Sequence, residues 1–215
     1  MPHVFSMRGL STAIEGWVDL DAKETTPKVT SAEERHWVEA ARRGDARAFR
    51  SLFERHAPSV RRFLFDLLRD GDAADEATQE TFVRAHGRLR TLRTDDKLRP
   101  WLYGIARFVF HEALRARRRT TALDPQNEHH DTADRAPSAE AQLIGAESDR
   151  LLASALVHLE TDRRSALLLR VDHGLGYDEI CEVMGWSQAK VKNEIHRARL
   201  QLRAALQGYL DGGES

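Results

Sequence analysis

The segment 174–203 carries a pattern of apolar residues and glycines that restricts it to two short helices joined by a tight turn. The first helix is marked by apolar residues at helical spacing: Tyr177, Ile180, Val183 and Met184. Gly185 is suited to end that helix, and Ser187 can cap the next one by accepting a backbone N–H bond. The second helix has an inward-facing stripe: Val191, Ile195, Ala198 and Leu202. A helix-turn-helix with a three-residue turn is therefore predicted.

The second helix of this motif is polar and basic on its remaining faces. These faces carry Gln188, Lys190, Lys192, Asn193, His196, Arg197 and Arg199. Amide side chains near the start of such a helix suit the edges of DNA bases, and flanking cations suit phosphates. The alternative is an ordinary amphipathic helix pair with a solvated basic face, which would show the same pattern.

Length and composition indicate a soluble globular protein of two small domains. The chain has 215 residues, of which 31% are charged and 41% hydrophobic. Its single cysteine, Cys181, lies beside the apolar face of the first motif helix and cannot form an intramolecular disulfide, so a small core residue is expected there. Neither a membrane span nor a signal-peptide pattern is evident, and a cytoplasmic location is expected.

Charge is segregated along the chain although the net charge is only −1. Segments 101–119 and 187–207 are basic. Segment 120–149 is acidic, and Arg135 is its one arginine or lysine. This arrangement is typical of two nucleic-acid contacts separated by a connector that does not bind. Pro125 and Pro137 interrupt the connector, which we interpret as a flexible acidic linker. His129 and His130 within it have no cysteine partner and no helical spacing, so no metal site is predicted.

The segment before the linker is predicted to be entirely helical apart from its connecting loops. Helices are predicted at 33–44, 46–69 and 72–89, with Pro58 able to break or kink the second, followed by a charged loop at 91–99. Pro100 at a first-turn position then starts a helix that runs to 119. The predicted fold is all-α, with two small helical domains. The predicted boundaries are a flexible extension at 1–30, a helical domain at 31–119, the linker at 120–148, a helix-turn-helix domain at 149–207 and a tail at 208–215.

Two of these helices carry further chemistry. In segment 74–86, acids and amides cluster beside an aromatic residue, a combination suited to docking a protein partner: Asp75, Glu76, Gln79, Glu80 and Phe82. A solvated acidic first turn over a core phenylalanine is the alternative.

In segment 99–119, aromatic residues alternate with cations, and Trp101, Ile105, Phe108 and Val109 are assigned to the core. The expected outer face, able to stack on unpaired bases and neutralise phosphates, comprises Tyr103, Arg107, Phe110, His111, Arg115 and Arg118.

The order of these motifs is similar to that of the extracytoplasmic-function sigma factors of bacterial RNA polymerase. The resemblance rests on DEATQETFVRAH, RPWLYGIARFVFHEALRARRR, an acidic linker and LLLRVDHGLGYDEICEVMGWSQAKVKNEIHRARLQLR, and it covers about 33–206. It implies a first domain that binds core polymerase and opens the promoter minus-10 element. It also implies a second domain that reads the minus-35 element, and a linker that is threaded toward the polymerase active centre.

The resemblance implies roles for individual residues. It implies that core polymerase is bound by Asp75, Glu76, Gln79, Glu80 and Phe82. It implies that minus-10 DNA is contacted by Arg93, Lys97, Arg99, Tyr103, Arg107, His111, Arg115 and Arg118, of which the first three lie in a loop that captures an extruded base. It implies that minus-35 DNA is contacted by Ser187, Gln188, Lys190, Lys192, Asn193, Glu194, His196, Arg197 and Arg199. Family members are often held by an anti-sigma factor, which adds a candidate partner to core polymerase and promoter DNA.

The chain departs from the family pattern at two places. Leu159 and Glu160 stand where the family usually has Leu-Pro, so the next helix is expected to start from a Thr161 cap. Lys190 and Glu194 stand where the recognition helix commonly carries Thr and Arg. An acid there can accept from cytosine N4 but cannot hold a phosphate, so a different promoter sequence is expected.

Two classes of function other than a sigma factor would require different sequence features. A stand-alone regulator would use the helix-turn-helix alone, and the aromatic and cationic helix with its preceding loop argues against it. An enzyme acting on nucleic acid would need a metal cluster or an activated nucleophile, and neither is evident; no cofactor is predicted.

Overall fold

The computed structural model describes residues 32–123 and 146–210, and within these ranges every regular element is helical. The all-α prediction is confirmed. The predicted extension at 1–30, residues 211–215 of the predicted tail and most of the acidic linker, including His129 and His130, lie outside the described residues. Residues 208–210, predicted as part of the tail, are helical. Among the described helices, none has the length and apolarity that crossing a membrane requires.

The described part of the chain forms two groups of helices. The first group comprises α1 (Ala32–Arg42), α2 (Ala46–Leu68), α3 (Gly71–Arg88) and α4 (Leu98–Leu123). The second comprises α5 (Ala146–Val157), α6 (Thr161–Val171), α7 (Tyr177–Met184) and α8 (Gln188–Leu210). These groups are the two predicted helical domains, although α4 continues to Leu123, beyond the expected end at 119.

Helix α2 runs through Pro58 without a break. Pro58 is exposed, while Ala57 and Val60 on either side of it are buried in the core. Proline leaves the carbonyl of Glu54 without its helical N–H donor, but Glu54 is also exposed, so water can satisfy that carbonyl. Packing of the buried stripe therefore holds α2 continuous.

A tight reversal joins α2 to α3. Arg69 adopts a left-handed conformation with φ of 56°, and its N–H donates to the Phe65 carbonyl at 2.7 Å. Asp70 then caps α3 by accepting from the Ala73 N–H at 3.0 Å. The two helices pack along each other as a result, and α4 packs against both.

The segment between α3 and α4 is more ordered than the charged loop expected at 91–99. It contains two short 3₁₀ turns, Leu89–Thr91 and Asp95–Lys97. Helix α4 begins at Leu98, two residues before the predicted start, with Pro100 in its first turn. The N–H groups of a first helical turn have no partner within the helix, so proline is tolerated there.

The N-terminal cap of α6 differs from the prediction. Glu160, and not Thr161, is the capping residue, and its carboxylate accepts from the N–H groups of Asp162 at 3.2 Å and Arg163 at 3.0 Å. Thr161 is the first residue of the helix. A glutamate side chain is long enough to fold back on the free N–H groups, and its charge is favourable at this end of the helix.

The predicted helix-turn-helix is confirmed. Helices α7 and α8 are separated by three residues, and Gly185 is left-handed with φ of 66°. Ser187 Oγ accepts from the Lys190 N–H at 3.4 Å. The four residues of the predicted inward stripe on α8 are all buried, and Cys181 is half-buried against the same core.

The buried side chains of both domains form one contiguous cluster. Helix α4 of the first domain packs against α7, and α2 packs against α6. The sequence predicts two separate nucleic-acid contacts, one on either side of a linker. In the structure, the two domains that carry these contacts share an interface.

Candidate nucleic-acid interface

Helix α8 presents a continuous polar surface to solvent. Seven exposed polar side chains lie at its start and along its first half, and we call them the recognition surface: Ser187, which precedes the helix, Gln188, Lys190, Lys192, Asn193, His196 and Arg197. The buried stripe on the opposite side anchors the helix against α6 and α7. These groups can donate to phosphate oxygens and to the edges of bases.

Aromatic residues next to the recognition surface hold two of its cations. Lys190 Nζ lies 4.2 Å from the centroid of the Trp186 ring, and Lys192 Nζ lies 5.3 Å from that of Tyr177. Both distances are within the range of cation–π attraction. Gln188 Nε2 donates to Asp178 Oδ1 at 3.2 Å. The start of α8 is thus tied to α7 by its own side chains.

Two residues predicted to contact minus-35 DNA are engaged inside the domain. Glu194 has a side chain that is 14% exposed, and it accepts from Arg163 Nε at 2.7 Å and from Arg197 Nη1 at 3.1 Å. The hydrogen bond from Arg163 lowers the pKa of this carboxyl. Arg199 is 9% exposed. Their DNA contacts stay predictions, and in this structure both side chains serve the packing of α8.

Helix α4 buries a wider face than the sequence suggested. Tyr103 and Phe110, expected on the outer face, are 4% and 1% exposed, whereas Phe108, expected in the core, is 49% exposed. The expectation was wrong because two neighbouring rows of the helix are covered. One row contains Leu102 and Val109, and the adjacent row contains Tyr103 and Phe110.

The charged residues predicted to hold minus-10 DNA fall into two groups. Arg93 and Arg115 are exposed. Arg118 lies on α4, and its side chain is outside the described part of the structure. The others, with Tyr103, lie where α4 and its preceding turn meet the second domain: Lys97, Arg99, Arg107 and His111. We call these five residues, Lys97, Arg99, Tyr103, Arg107 and His111, the platform.

Helix α3 presents the acids and amides predicted to bind core polymerase. Asp75, Glu76 and Gln79 are exposed, and Asp75 pairs with Arg61, whose Nε lies 2.5 Å from Oδ1. Glu80 accepts from Arg84 Nε at 2.6 Å. Phe82 lies beneath them, 4% exposed and packed edge-on against Phe53 at 4.8 Å between ring centroids. Phe82 is therefore a core residue, because it lies on the face of α3 that packs against α2.

Comparison with known proteins identifies the family. The family model for sigma-70 region 2 matches residues 52–120, and that for sigma-70 region 4 matches residues 149–202. RNA polymerase sigma factor YlaC of Bacillus subtilis is 30% identical over 152 residues, which are 71% of this chain and 88% of the relative. The chain belongs to the sigma-70 family. It is an alternative RNA polymerase sigma factor with a role in transcription initiation, and relatives named as ECF sigma factors show that it is of the extracytoplasmic-function type.

Two further relatives agree with this assignment, and two solved structures share the fold. EcfG of Rhodopseudomonas palustris is 32% identical, covering 73% of this sigma factor and 83% of the relative. The sigma-H factor of Pseudomonas aeruginosa is 31% identical, covering 85% and 98%. CnrH, solved in complex with the cytosolic domain of CnrY, has a TM-score of 0.63 at 25% identity over 82% of this chain and 99% of that one. RpoE of Bartonella quintana, solved with the anti-sigma factor NepR, has a TM-score of 0.62 at 23% identity over 74% and 96%.

The two domains of this sigma factor meet through polar contacts that involve the whole platform. Arg107 Nη2 donates to Asp162 Oδ1 at 2.8 Å, and His111 Nε2 donates to the same oxygen at 3.1 Å. Lys97 Nζ donates to Glu182 Oε1 at 2.5 Å. The pKa of His111 is lowered, mainly because the ring is partly buried.

His173, in the loop before α7, inserts into the first domain. Its ring lies 5.6 Å from that of Phe63 and 5.0 Å from that of Tyr103. Nδ1 shares a 2.9 Å hydrogen bond with the Tyr103 hydroxyl, and the backbone carbonyl accepts from Arg99 Nη2 at 2.5 Å. Burial lowers the pKa of His173 to about 3, so the ring is neutral at ordinary pH.

Sequence reasoning missed the residues on the second-domain side of this interface. No sequence pattern gave a role to Asp162, His173 or Glu182. Arg164 is also buried at this interface, but it stands among polar residues ahead of the apolar run of α6, so no local pattern indicated its burial. Within the described residues, no cluster of three or more histidine, cysteine or acidic side chains has the arrangement needed to hold a metal.

Proposed function

We propose that α8 enters the major groove of the promoter minus-35 element. The observation that supports this most directly is the recognition surface, in which seven polar or cationic side chains are exposed around an anchored helix. Gln188, Lys192 and Asn193 carry donors that suit base edges, and Lys190 and Arg197 carry charges that suit phosphates. We include Ser187, Glu194, His196 and Arg199 as predicted contacts of the same helix.

We infer that α4 and the turns before it hold the unpaired strand of the minus-10 element. Cations lie along this helix and its approach, namely Arg93, Lys97, Arg99, Arg107, Arg115 and Arg118, and Tyr103 and His111 lie among them. Guanidinium and ammonium groups neutralise the strand, and an aromatic face can stack on an extruded base. Exposed Phe108 is a further ring on this helix, and Arg84 lies over it at 5.6 Å.

We also propose that α3 docks the sigma factor on core polymerase through Asp75, Glu76, Gln79 and Glu80. Phe82 supports this surface from beneath by packing against α2. Core polymerase performs the chemistry, so no catalytic residue is assigned to this chain, and its place of action is the cytoplasm. The complexes of RpoE with NepR and of CnrH with CnrY support an anti-sigma protein as a further partner.

A transcription experiment tests the whole proposal. The purified chain is mixed with sigma-free core polymerase and genomic DNA, and the 5′ ends of the transcripts are sequenced. We expect initiation downstream of a shared pair of sequence elements, which would identify the promoter at the same time. Specific binding to an operator without polymerase, with no new transcripts, would instead support a stand-alone regulator.

A further inference from the structure

A cavity of about 170 Å³ lies where α2 meets three helices of the second domain. Most of its wall is apolar and is formed by Leu152, Ala153 and Leu156 of α5, Leu167 and Leu168 of α6, and Leu202 of α8. An apolar cavity of about 150 Å³ inside a protein is large enough to bind benzene. This cavity therefore has room for an apolar group of about six to eight carbon atoms.

The remaining wall of the cavity is charged. Arg62 and Asp66 lie on α2, Arg69 directly follows that helix, and Asp172 follows α6. The side chains of the two arginines are 47% and 30% exposed, whereas those of Asp66 and Asp172 are 20% and 15% exposed. The guanidinium groups are therefore closer to solvent than the carboxyl groups, and a ligand that enters the cavity meets them first.

Both arginines have N–H groups that no described residue accepts. A guanidinium carries five N–H donors. Arg62 Nη2 donates to Asp172 Oδ1 at 3.3 Å, but its Nε lies 3.9 Å from Asp66 Oδ2, which is too long for a hydrogen bond. Arg69 Nη1 also lies 3.9 Å from Asp66, and its guanidinium lies 5.7 Å from the Phe65 ring. Most donors of the two side chains are thus available to a ligand.

The charge around the cavity favours an anion. Arg164 acts on Asp66 together with Arg62 and Arg69, so three cations surround the two carboxyl groups of Asp66 and Asp172. Burial and the neighbouring Asp172 raise the pKa of Asp66 to about 6, so one of the two negative charges is easily lost. A carboxylate can accept two parallel hydrogen bonds from a guanidinium, whereas an ammonium would be repelled by the arginines.

We propose that this cavity binds a medium-chain fatty acid, a carboxylate with an unbranched apolar chain of about six to eight carbon atoms. The chain lies among the leucine side chains, and the carboxylate accepts from Arg62 and Arg69. None of the residues that line the cavity belongs to the recognition surface or to the platform. The site can therefore be tested without DNA or polymerase.

A series of chain lengths tests the apolar part of the site. Butanoate, hexanoate, octanoate and decanoate are titrated into the full-length chain at pH 7, and isothermal titration calorimetry gives each Kd. Each added CH₂ group should tighten binding by about fourfold, because its burial contributes about 0.8 kcal/mol. The gain should stop between octanoate and decanoate, where the cavity is full. A gain that continues to decanoate would indicate adsorption on the surface and overturn the proposal.

A series of head groups tests the charged part. Hexanol and hexylammonium have the same chain as hexanoate, with a neutral and a positively charged head group. Hexanoate should bind about tenfold more tightly than hexanol, and hexylammonium should bind most weakly of the three. Equal binding of hexanol would show an apolar cavity without an anion site. Tighter binding of hexylammonium would assign the cavity to amines, and either result would overturn the proposal.

Arg69→Gln removes one charge from the entrance and keeps most of the side chain. Binding of hexanoate should weaken by about tenfold, and binding of hexanol should be unchanged. Arg50→Gln, at an exposed site of α2, is the matched control and should bind hexanoate as the parent chain does. An equal loss in both variants would be a general effect of net charge and would exclude Arg69 as a ligand contact.

Ala153→Leu places three further carbon atoms in the cavity. It should abolish binding of both hexanoate and hexanol, whereas Ser154→Leu, at the exposed neighbouring position, should not. Circular dichroism verifies that each variant is folded, and the two ligand series on the parent chain require no variant. Undiminished binding of hexanoate to a folded Ala153→Leu chain would show that the ligand lies elsewhere and would refute the site.

Discussion

Arg164 of α6 donates through Nη2 to the main-chain carbonyl of Leu67, at 2.8 Å, near the C-terminal end of α2. The guanidinium of one domain thereby satisfies a helix end in the other, where the helix dipole favours a positive charge. Arg164 is buried, and burial lowers its pKa. The domains are held together by backbone as well as by side chains.

Replacing Arg164 should weaken the folded chain. Arg164→Ala leaves the Leu67 carbonyl without this donor and opens space in the interface, so we expect the free energy of unfolding to fall by about 1–3 kcal/mol. Urea denaturation followed by circular dichroism measures it. Arg203→Ala, at an exposed site of α8, is the control; an equal loss in both variants would refute a special role for Arg164.

Asp66 should make stability depend on pH. Burial, with the nearby Asp172 carboxylate, raises its pKa to about 6 despite Arg62, Arg69 and Arg164 around it. A carboxyl whose pKa is raised by folding stabilises the fold below its unfolded pKa of about 4, and that contribution is lost as pH rises through about 6. The free energy of unfolding of Asp66→Asn, relative to that of the parent, should therefore rise by about 1 kcal/mol from pH 5 to pH 7.

Urea denaturation of both proteins at the two pH values gives this difference. His173 acts in the opposite direction, because its lowered pKa costs stability as pH falls below about 6.5, but it is present in both proteins and cancels. Glu39→Gln, at an exposed acid on α1, is the control. A shift between pH 5 and pH 7 in Glu39→Gln as large as that in Asp66→Asn would contradict the assignment.

Substitutions on α8 should separate phosphate contacts from base contacts. Arg197→Ala should weaken all minus-35 sequences by similar factors and reduce the salt slope by about one unit. Lys192→Ala and Asn193→Ala should change which bases are preferred. Binding to a library of upstream elements at several salt concentrations measures both. A uniform loss for Lys192 and Asn193 would show that they position the helix and do not read bases.

Arg199→Ala offers an internal comparison on the same helix. Because Arg199 is buried, we expect its removal to reduce the free energy of unfolding and to change the salt slope of DNA binding by much less than one unit. A full unit of salt slope lost with unchanged stability would place Arg199 on DNA.

The α3 surface should affect polymerase binding without affecting the fold. Gln79→Ala with Glu76→Lys, both exposed, should weaken co-purification with core polymerase and leave thermal unfolding unchanged. Phe82→Ala is expected to act differently, costing about 3–5 kcal/mol because the ring is buried. Wild-type levels of bound polymerase in the Gln79 and Glu76 variant would exclude this docking surface.

Promoter opening should depend on α4. Alanine at Arg107, His111 and Arg115 should leave closed complexes intact but reduce permanganate reactivity of thymines near the start site. Stacking of one base on an aromatic ring contributes about 1–3 kcal/mol, comparable to the cost of extruding a base, so a few contacts can decide whether the duplex opens. A pre-melted template should restore transcription. Equal failure on duplex and pre-melted templates would assign α4 a structural or docking role.

The helices and the helix-turn-helix can be predicted from the amino-acid sequence, because they depend on neighbours within a few residues. Gly185, Ser187 and the stripe from Val191 to Leu202 are sufficient to predict the turn and the inward face of α8. The motif order also identified the family that the comparisons show. These features required no information about distant parts of the chain.

The residues that cover α4 come from distant parts of the chain. Helical periodicity shows which residues share a row, but it does not show which neighbour packs on the adjacent row, so Tyr103 and Phe110 were placed on the wrong side. Asp162 lies 55 positions from Arg107, and no local pattern predicts that pair. The closed arrangement arises from complementary charge and shape between two domains, and these become visible only when the chain is folded.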